Sequence, residues 1–476
     1  MAKHTVALIA GIVALAAASG GSPVGAQPPA TPPPATQPPA TIASSSGVPP
    51  LHFRQRTLPN GLLVLSAEDH KTPTAAINLW YRAGGKDDPD GRSGFAHLFE
   101  HLMFKSTKNQ PSESFDHLTN DIGGDNNAFT TNDETVFYEI IPANYLQTLI
   151  WAEADRMANL NVDEGNFLSE RSVVEEELRQ RTQASPYGRV SLLVQDHSWQ
   201  VLPYKREPIG SIANLDAATL TDVQEFHRTY YRPDDAVLVV VGDFDPKQLD
   251  TWVDRYFGRI AKPLAEIPRV TTTEPPRTAE RDYNEVAPGV PLPMIVMNYL
   301  TPNAASADAP VLQVIDVLLS GGDSSRLYQS LVYAQQVASS IGTSADLRAI
   351  AGLFEIEVVA AGGKSIAQAE QATRAQIAAF SAAPVSATEL EKAKNQLITG
   401  ALHTRETNAG KAEALGRAAT DLGDPELVNT EIDRLQAVTA ADVQRVAQTY
   451  FTDKNLVVVR YGTAEQLAPA GKGATK

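Results

Sequence analysis

Two of the nine histidines stand four residues apart in His97-Leu98-Phe99-Glu100-His101. On an α-helix, positions i and i+4 lie one above the other, so both imidazoles can reach one metal ion. Glu100, three residues after His97, projects beside that face, within reach of a proton on a water at the metal. Leu98 and Phe99, with Phe95, Leu102 and Met103, give the helix an apolar back to bury, and Ser93 reads as its N-cap. A divalent site needs at least one more protein ligand and an open position for water. Glu175, Glu176 and Glu177 stand on a later helical stretch that opens Glu170-Arg171-Ser172. Helical facing alone does not choose among them. The bland alternative is a pair of hydrogen-bonding histidines beside a surface carboxylate, since a chance HxxEH is expected in roughly one chain of this size in a hundred.

The elements that must carry these residues are legible in outline. Leu51–Arg56, Leu62–Ala67 and Ala75–Ala83 read as strands, divided by the Pro59-Asn60-Gly61 turn and a polar segment. A helix follows at Phe95–Phe104, then one extended run, Asn127–Ile141, then helical patterns at Tyr145–Leu160 and Glu164–Thr182. The first half closes with a helix at Leu220–Tyr231 and a strand at Ala236–Gly242. Asp222-Val223-Gln224 with Thr229-Tyr230-Tyr231 recurs 220 residues later as Asp442-Val443-Gln444 with Thr449-Tyr450-Phe451. A valine-rich strand follows each, Leu456–Val459 in the second case. Met294–Tyr299 leading into Val311–Leu319 likewise repeats the Ile77–Tyr81 strand and the helix at Phe95. The pattern predicts an α+β fold of two homologous halves, each a mostly antiparallel or mixed sheet with helices on one side. The halves span 51–262 and 281–465, joined by a proline-interrupted linker, 263–280.

Lys3 and His4 precede an apolar stretch, Val6–Ala18, and Val24-Gly25-Ala26 offers small residues for a signal peptidase. Residues 1–26 therefore read as a secretory signal, which implies periplasmic or secreted protein with no stable membrane anchor after cleavage. Residues 27–50, rich in Pro, Ala and Thr, read as a tether, and 466–476 as a flexible tail. A net charge of −16 argues against a nucleic-acid partner, which needs a basic face. The absence of cysteine excludes disulfides and thiolate metal sites.

HLFEH, with GGDNNAFT at Gly123–Thr130 and ERSVVEEE at Glu170–Glu177, resembles the pitrilysin/insulinase family of inverted-motif zinc peptidases. The short members, such as the mitochondrial processing peptidase β subunit and its bacterial relatives, match best, from Leu51 to about Gly462. The resemblance implies a clam-like shell of two halves that takes peptide or unfolded polypeptide. It implies zinc held by His97, His101 and Glu177, with Glu100 as general base. Glu170 matches a carboxylate that supports the ligands from behind. Asn127 and Ala128 match an edge strand that binds substrate through main-chain hydrogen bonds, where the plain reading is a Gly-Gly turn feeding an ordinary strand.

The second half contains only His403, and Asn395–Thr399, which corresponds to the region of Glu177, holds no carboxylate. One zinc per chain is expected. Relatives active alone carry an Arg and a Tyr seven residues apart in this half; here Val332 and Ser339 occupy those positions, with Arg326, Tyr328 and Tyr333 nearby. This departure implies a homologous partner subunit carrying the Arg/Tyr pair, a heterodimer, with a homodimer as the other arrangement. Two other readings compete with a zinc endopeptidase. A non-catalytic assembly subunit of the same fold should carry a degraded metal motif, and a periplasmic peptide-binding protein needs neither Glu100 nor an open metal position.

Overall fold

The runs of apolar residues in the central strands are continuous rather than alternating, which requires sheets covered on both faces. The computed structural model describes residues 48–468. The signal segment, the tether up to residue 47 and the tail from residue 469 lie outside the described residues.

In chain order the first half contains β1 (Arg54–Thr57), β2 (Leu63–Glu68), β3 (Thr74–Tyr81), α1 (Phe95–Leu102), α2 (Ser114–Asn120), β4 (Asp125–Thr130) and β5 (Thr135–Pro142). Next come α3 (Leu146–Asn159), α4 (Glu164–Gln183), α5 (Val190–Ser198), α6 (Ile212–Asp216), α7 (Leu220–Tyr230), β6 (Ala236–Gly242) and α8 (Pro246–Tyr256). The second half contains β7 (Arg281–Val286), β8 (Met294–Thr301), α9 (Ala309–Ser320), β9 (Ala338–Asp346), β10 (Gly352–Ala360) and α10 (Ile366–Ala382). It ends with α11 (Ala387–Thr404), α12 (Asn408–Thr420), α13 (Glu431–Ala437), α14 (Ala440–Tyr450) and β11 (Leu456–Gly462).

The two sheets repeat one topology. The first runs β1-β2-β6-β3-β5-β4 and the second β7-β11-β8-β10-β9. β2 pairs with β6 in parallel, as β7 does with β11, and the remaining pairings are antiparallel. The recurring helices start with the same chemistry. Thr219 and Asp222 form a capping box on α7, and Thr439 and Asp442 form the same box on α14.

Each half covers the back of the other's sheet. On its helical face the first sheet packs Ile77, Leu79, Leu238 and Val240 against Phe95, Phe99 and Leu149. Its opposite face, with Ala76, Trp80, Val237, Val239 and Val241, buries Ala412, Leu415, Ala418 and Ala419 of α12 from the second half. Reciprocally, Val190 and Val194 of α5 pack on Met294, Val296, Val457 and Val459 of the second sheet. The expectation of helices on one side therefore holds for each half's own helices. The other face is closed by the exchanged helix, and the described residues belong to one compact unit.

Two local expectations are corrected. Asn127–Ile141 is not one strand but a hairpin, because Thr131 N–H closes on Glu134 O at 2.8 Å and the Thr131 hydroxyl accepts from the Asp133 and Glu134 N–H groups. Ser93 does not cap α1. Gly94, at φ 102°, holds the N-cap position, and the buried Asp88 carboxylate accepts from Gly94 N at 2.7 Å and Ala96 N at 2.9 Å. Ser93 Oγ instead accepts from Asn214.

Residues 263–280 form neither helix nor strand, yet they are pinned to both halves. Arg232 donates to Pro263 O and Ala265 O, and Glu274 accepts the consecutive N–H groups of Gln200, Val201 and Leu202. Arg277 donates to Ser198 O, Asn298 O and Asn455 O.

The α12 contact sets a specific steric demand. A Cβ on Gly416 would lie 2.1 Å from the Trp80 ring, so only glycine admits this approach. Gly416→Ala should destabilise the protein by about 1–3 kcal/mol through overpacking. Gly400→Ala, in open space on α11, should be neutral or stabilising by roughly 0.5–1 kcal/mol. Urea unfolding of the two variants checks the contrast, and equal stabilities would remove this packing as a determinant.

Candidate metal and catalytic site

α1 is a short helix with a buried apolar back. Phe99 packs on Phe226, His227 and Tyr231 with ring centroids 5.6, 5.7 and 5.0 Å away, and Phe95 meets Phe226 edge-on at 5.8 Å. This seats α1 between the sheet and α7, with His97 and His101 on its other face. Their ring centroids are 4.9 Å apart.

α4 brings the carboxylate. Glu177 Oε2 lies 3.8 Å from His97 Nε2 and 3.4 Å from His101 Nε2. The three residues' ligand atoms lie within 4.8 Å of one another, and they are the one such group of metal-binding side chains among the described residues. The neighbouring glutamates turn elsewhere: Glu175 pairs with Arg171 and Arg179, and Glu176 with Arg179 and Gln180. Arg181, one turn beyond, forms an ion pair with Glu177 Oε1, which leaves Oε2 to face the imidazoles.

A second carboxylate backs the site. Glu170 Oε2 lies 3.5 Å from His101 Nδ1, and its Oε1 pairs with Lys105 Nζ at 2.8 Å. Glu170 is thus held as an anion: burial pushes its pKa up, and His101 and Lys105 outweigh that. Glu100 sits on α1 beside the histidines. Thr130, at the end of β4, donates its hydroxyl to Glu100 Oε2 at 2.6 Å. Asn127 and Ala128 lie on β4, the edge strand of the first sheet, whose one partner is β5.

The titration pattern follows from burial and charge. His97, 6% exposed, has its pKa driven down to about 3 by burial, with His101 adding to the shift. His101 is raised to about 9, because hydrogen bonds to Glu170 and Glu177 outweigh burial. Burial would raise Glu177, but His101, His97 and Arg181 pull it down to about 2. Burial raises the Glu100 carboxyl, partly opposed by the Thr130 hydroxyl. Two imidazoles and one carboxylate suit zinc, whose bonds of about 2.0–2.2 Å place tetrahedral donors roughly 3.3 Å apart. The observed 3.4 and 3.8 Å separations fit that ion with small adjustments.

A profile described as "Insulinase (Peptidase family M16)" matches residues 63–209, and one described as "Peptidase M16 inactive domain" matches residues 217–397. The chain belongs to the insulinase (M16) family. It is 34% identical over 286 residues to the zinc protease PqqE of Helicobacter pylori, a match covering 60% of this chain and 64% of that protein's length. It is 25% identical to a probable mitochondrial-processing peptidase subunit beta of Arabidopsis thaliana, over 88% of this chain and 80% of that one. A solved Helicobacter pylori protease superposes with a TM-score of 0.84 at 27% identity, over 87% of this chain and all of the other.

Within this M16 chain the second half contributes no comparable cluster among the described residues. Val332 is packed against the second core, in a π-helical segment at Tyr328–Ala334. Ser339 Oγ turns back to Val359 O and Ala360 O. Arg326 is occupied by a two-point pairing with Glu389, whereas Tyr333 is exposed.

Sequence reasoning missed Asp88, Arg181, Lys105 and Thr130. Arg181 had a readable signal, a glutamate four residues before an arginine on a helix. The others act through contacts that no local spacing announces.

A cation entering this site must displace the proton that His101 carries below about pH 9, whereas His97, at about 3, has none to lose above pH 5. Zinc binding between pH 6 and 8 should therefore release about one proton, and its apparent affinity should rise about tenfold per pH unit. Calorimetry in buffers of different ionisation heats measures this. A pH-independent affinity would contradict a protonated His101 in the metal-free site.

Proposed function

We propose that this chain is a secreted zinc metalloendopeptidase that hydrolyses extended peptides. The carrying observation is the convergence of His97, His101 and Glu177 with Glu100 alongside. Zinc held by the three ligands, one per chain, supplies a Lewis acid that polarises the scissile carbonyl and acidifies water.

The chain's own groups do the rest. Glu100, whose burial makes its carboxylate more basic than an exposed one, takes a proton from the attacking water and returns it to the leaving amine. Glu170 holds the His101 ring through Nδ1, directing Nε2 towards Glu177, the arrangement by which a ligating histidine is oriented. β4 is the edge strand of its sheet, and its outer main-chain groups around Asn127 and Ala128 would pair with an added peptide strand once Ala128 N–H, which donates to Asn127 Oδ1 at 2.8 Å, is released. Such docking favours unfolded chains over folded proteins.

The signal-like segment supports export to the periplasm or beyond. Among the described residues no helix is long and apolar enough to cross a membrane.

Neither Val332 nor Ser339 can supply oxyanion donors as an Arg/Tyr pair does. Removing one such donor commonly costs roughly 10²–10³ in rate. A homologous subunit bearing that pair therefore completes the site, and the name "subunit beta" of the plant relative agrees with an assembly of this kind.

Two measurements test the reading. Glu100→Gln should keep zinc and lose peptide hydrolysis by at least ~10², while His97→Ala or His101→Ala should lose the metal. Normal cleavage by Glu100→Gln would make the base assignment wrong. Co-expression with the homologous subunit should raise hydrolysis by ~10²–10³ at equal zinc content, and a rate unchanged by the subunit would mean that other residues supply the donors.

A further inference from the structure

The hydrogen bond from Thr130 to Glu100 joins two parts of the site that local sequence keeps 30 residues apart. Among the described residues no other group donates a hydrogen bond to this carboxylate. The bond engages Oε2 alone, so Oε1 is left for the proton of the attacking water.

The donor is held on a constrained piece of backbone. Thr130 is the last residue of β4 and pairs with Thr135 of β5, whose own hydroxyl donates to Ala83 O at 2.9 Å. Immediately beyond, the Thr131–Glu134 turn closes the hairpin. Ala128 packs into the helical-face core, and Thr130, two residues on, shares its face of the strand. A β-branched side chain on a strand has few χ1 choices. The strand thus fixes the position of the group that donates to Glu100 Oε2.

We infer that Thr130 is the positioning residue for Glu100, and that it ties the orientation of the proton acceptor to the strand on which the peptide docks. The inference rests on the hydrolase reading above. A glutamate side chain left to rotate freely would sample several rotamers, and misplacing a reacting group by about 1 Å can cost ~10² in rate. Peptide added along the outer edge of β4 would stiffen the same backbone that holds the donor, so that docking and orientation of the base occur together.

Thr130→Val keeps the branched shape and removes the donor, and Thr130→Ser keeps the donor. The zinc-loaded protein, in whichever assembly cleaves a quenched unstructured peptide fastest, is the sample. Thr130→Val should lower kcat by ~10² with KM within about twofold, and Thr130→Ser should recover kcat to within about fivefold of the parent. Zinc content and melting temperature should not move. On the Glu100→Gln background, which binds peptide without cleaving it, adding Thr130→Val should leave the peptide dissociation constant within about twofold.

An unchanged kcat in Thr130→Val would overturn the role. So would loss of zinc, or peptide affinity falling as much as kcat, since either marks a structural part of the strand. A parent that binds no zinc and cleaves nothing would sink the hydrolase reading itself, and this is seen before any Thr130 variant is compared.

Discussion

The site depends on one packing relation, that of α4 against α1. It sets the Glu177 carboxylate opposite two imidazoles that are one turn apart on another helix. Taken from water, such a group of polar side chains costs free energy unless its charges are paired. Here the Glu177 and Glu170 carboxylates each face cations or imidazoles, while His97 Nδ1 is buried without a hydrogen-bond partner. Arg181 holds one oxygen of Glu177, the imidazoles face the other, and Glu170 with Lys105 supports His101 from behind. The same burial that makes the cluster expensive keeps His97 neutral and raises the pKa of the Glu100 carboxyl.

α1 can serve this purpose because everything around it is fixed. Asp88 ties down its first turn, and Phe226, His227 and Tyr231 close its back. The halves then exchange helices: α12 lies on the first sheet and α5 on the second. The second half therefore has a structural task that the first half cannot perform alone, since Trp80 and the valines of β6 would otherwise face water. This gives a physical reason for the second half to keep its fold although it contributes no metal-binding cluster among the described residues.

Much of the first half was legible because its signals are local. The i, i+4 histidines lie on a helix whose apolar back is buried as its pattern requires. Ala236–Gly242 is a strand over those same residues, and the repeated Asp-Val-Gln segments lie in the first turns of the paired helices α7 and α14. What was not legible is tertiary. Glu177 differs from Glu175 and Glu176 only in what stands opposite it, which helical periodicity cannot say. The Thr131–Glu134 turn did carry a local signal, Asn132-Asp133, that the reading as an extended run passed over, and Ser93 lost the capping role to a carboxylate held in place by the preceding loop. α12 is rich in alanine and glycine and advertises no partner, yet those small residues allow it to approach Trp80 closely. The continuous apolar runs in β3, β6, β8 and β11 did carry the relevant clue, since a strand buried on both sides needs a cover on each.

The central claim is that the three-residue cluster is a zinc centre. Its most direct test is a crystal of the purified full chain measured on both sides of the zinc absorption edge. The account predicts a single zinc-specific anomalous peak per chain, bonded to Nε2 of His97, Nε2 of His101 and Glu177 Oε2. A zinc-replete crystal with no peak there, or with its peak among other residues, would contradict it.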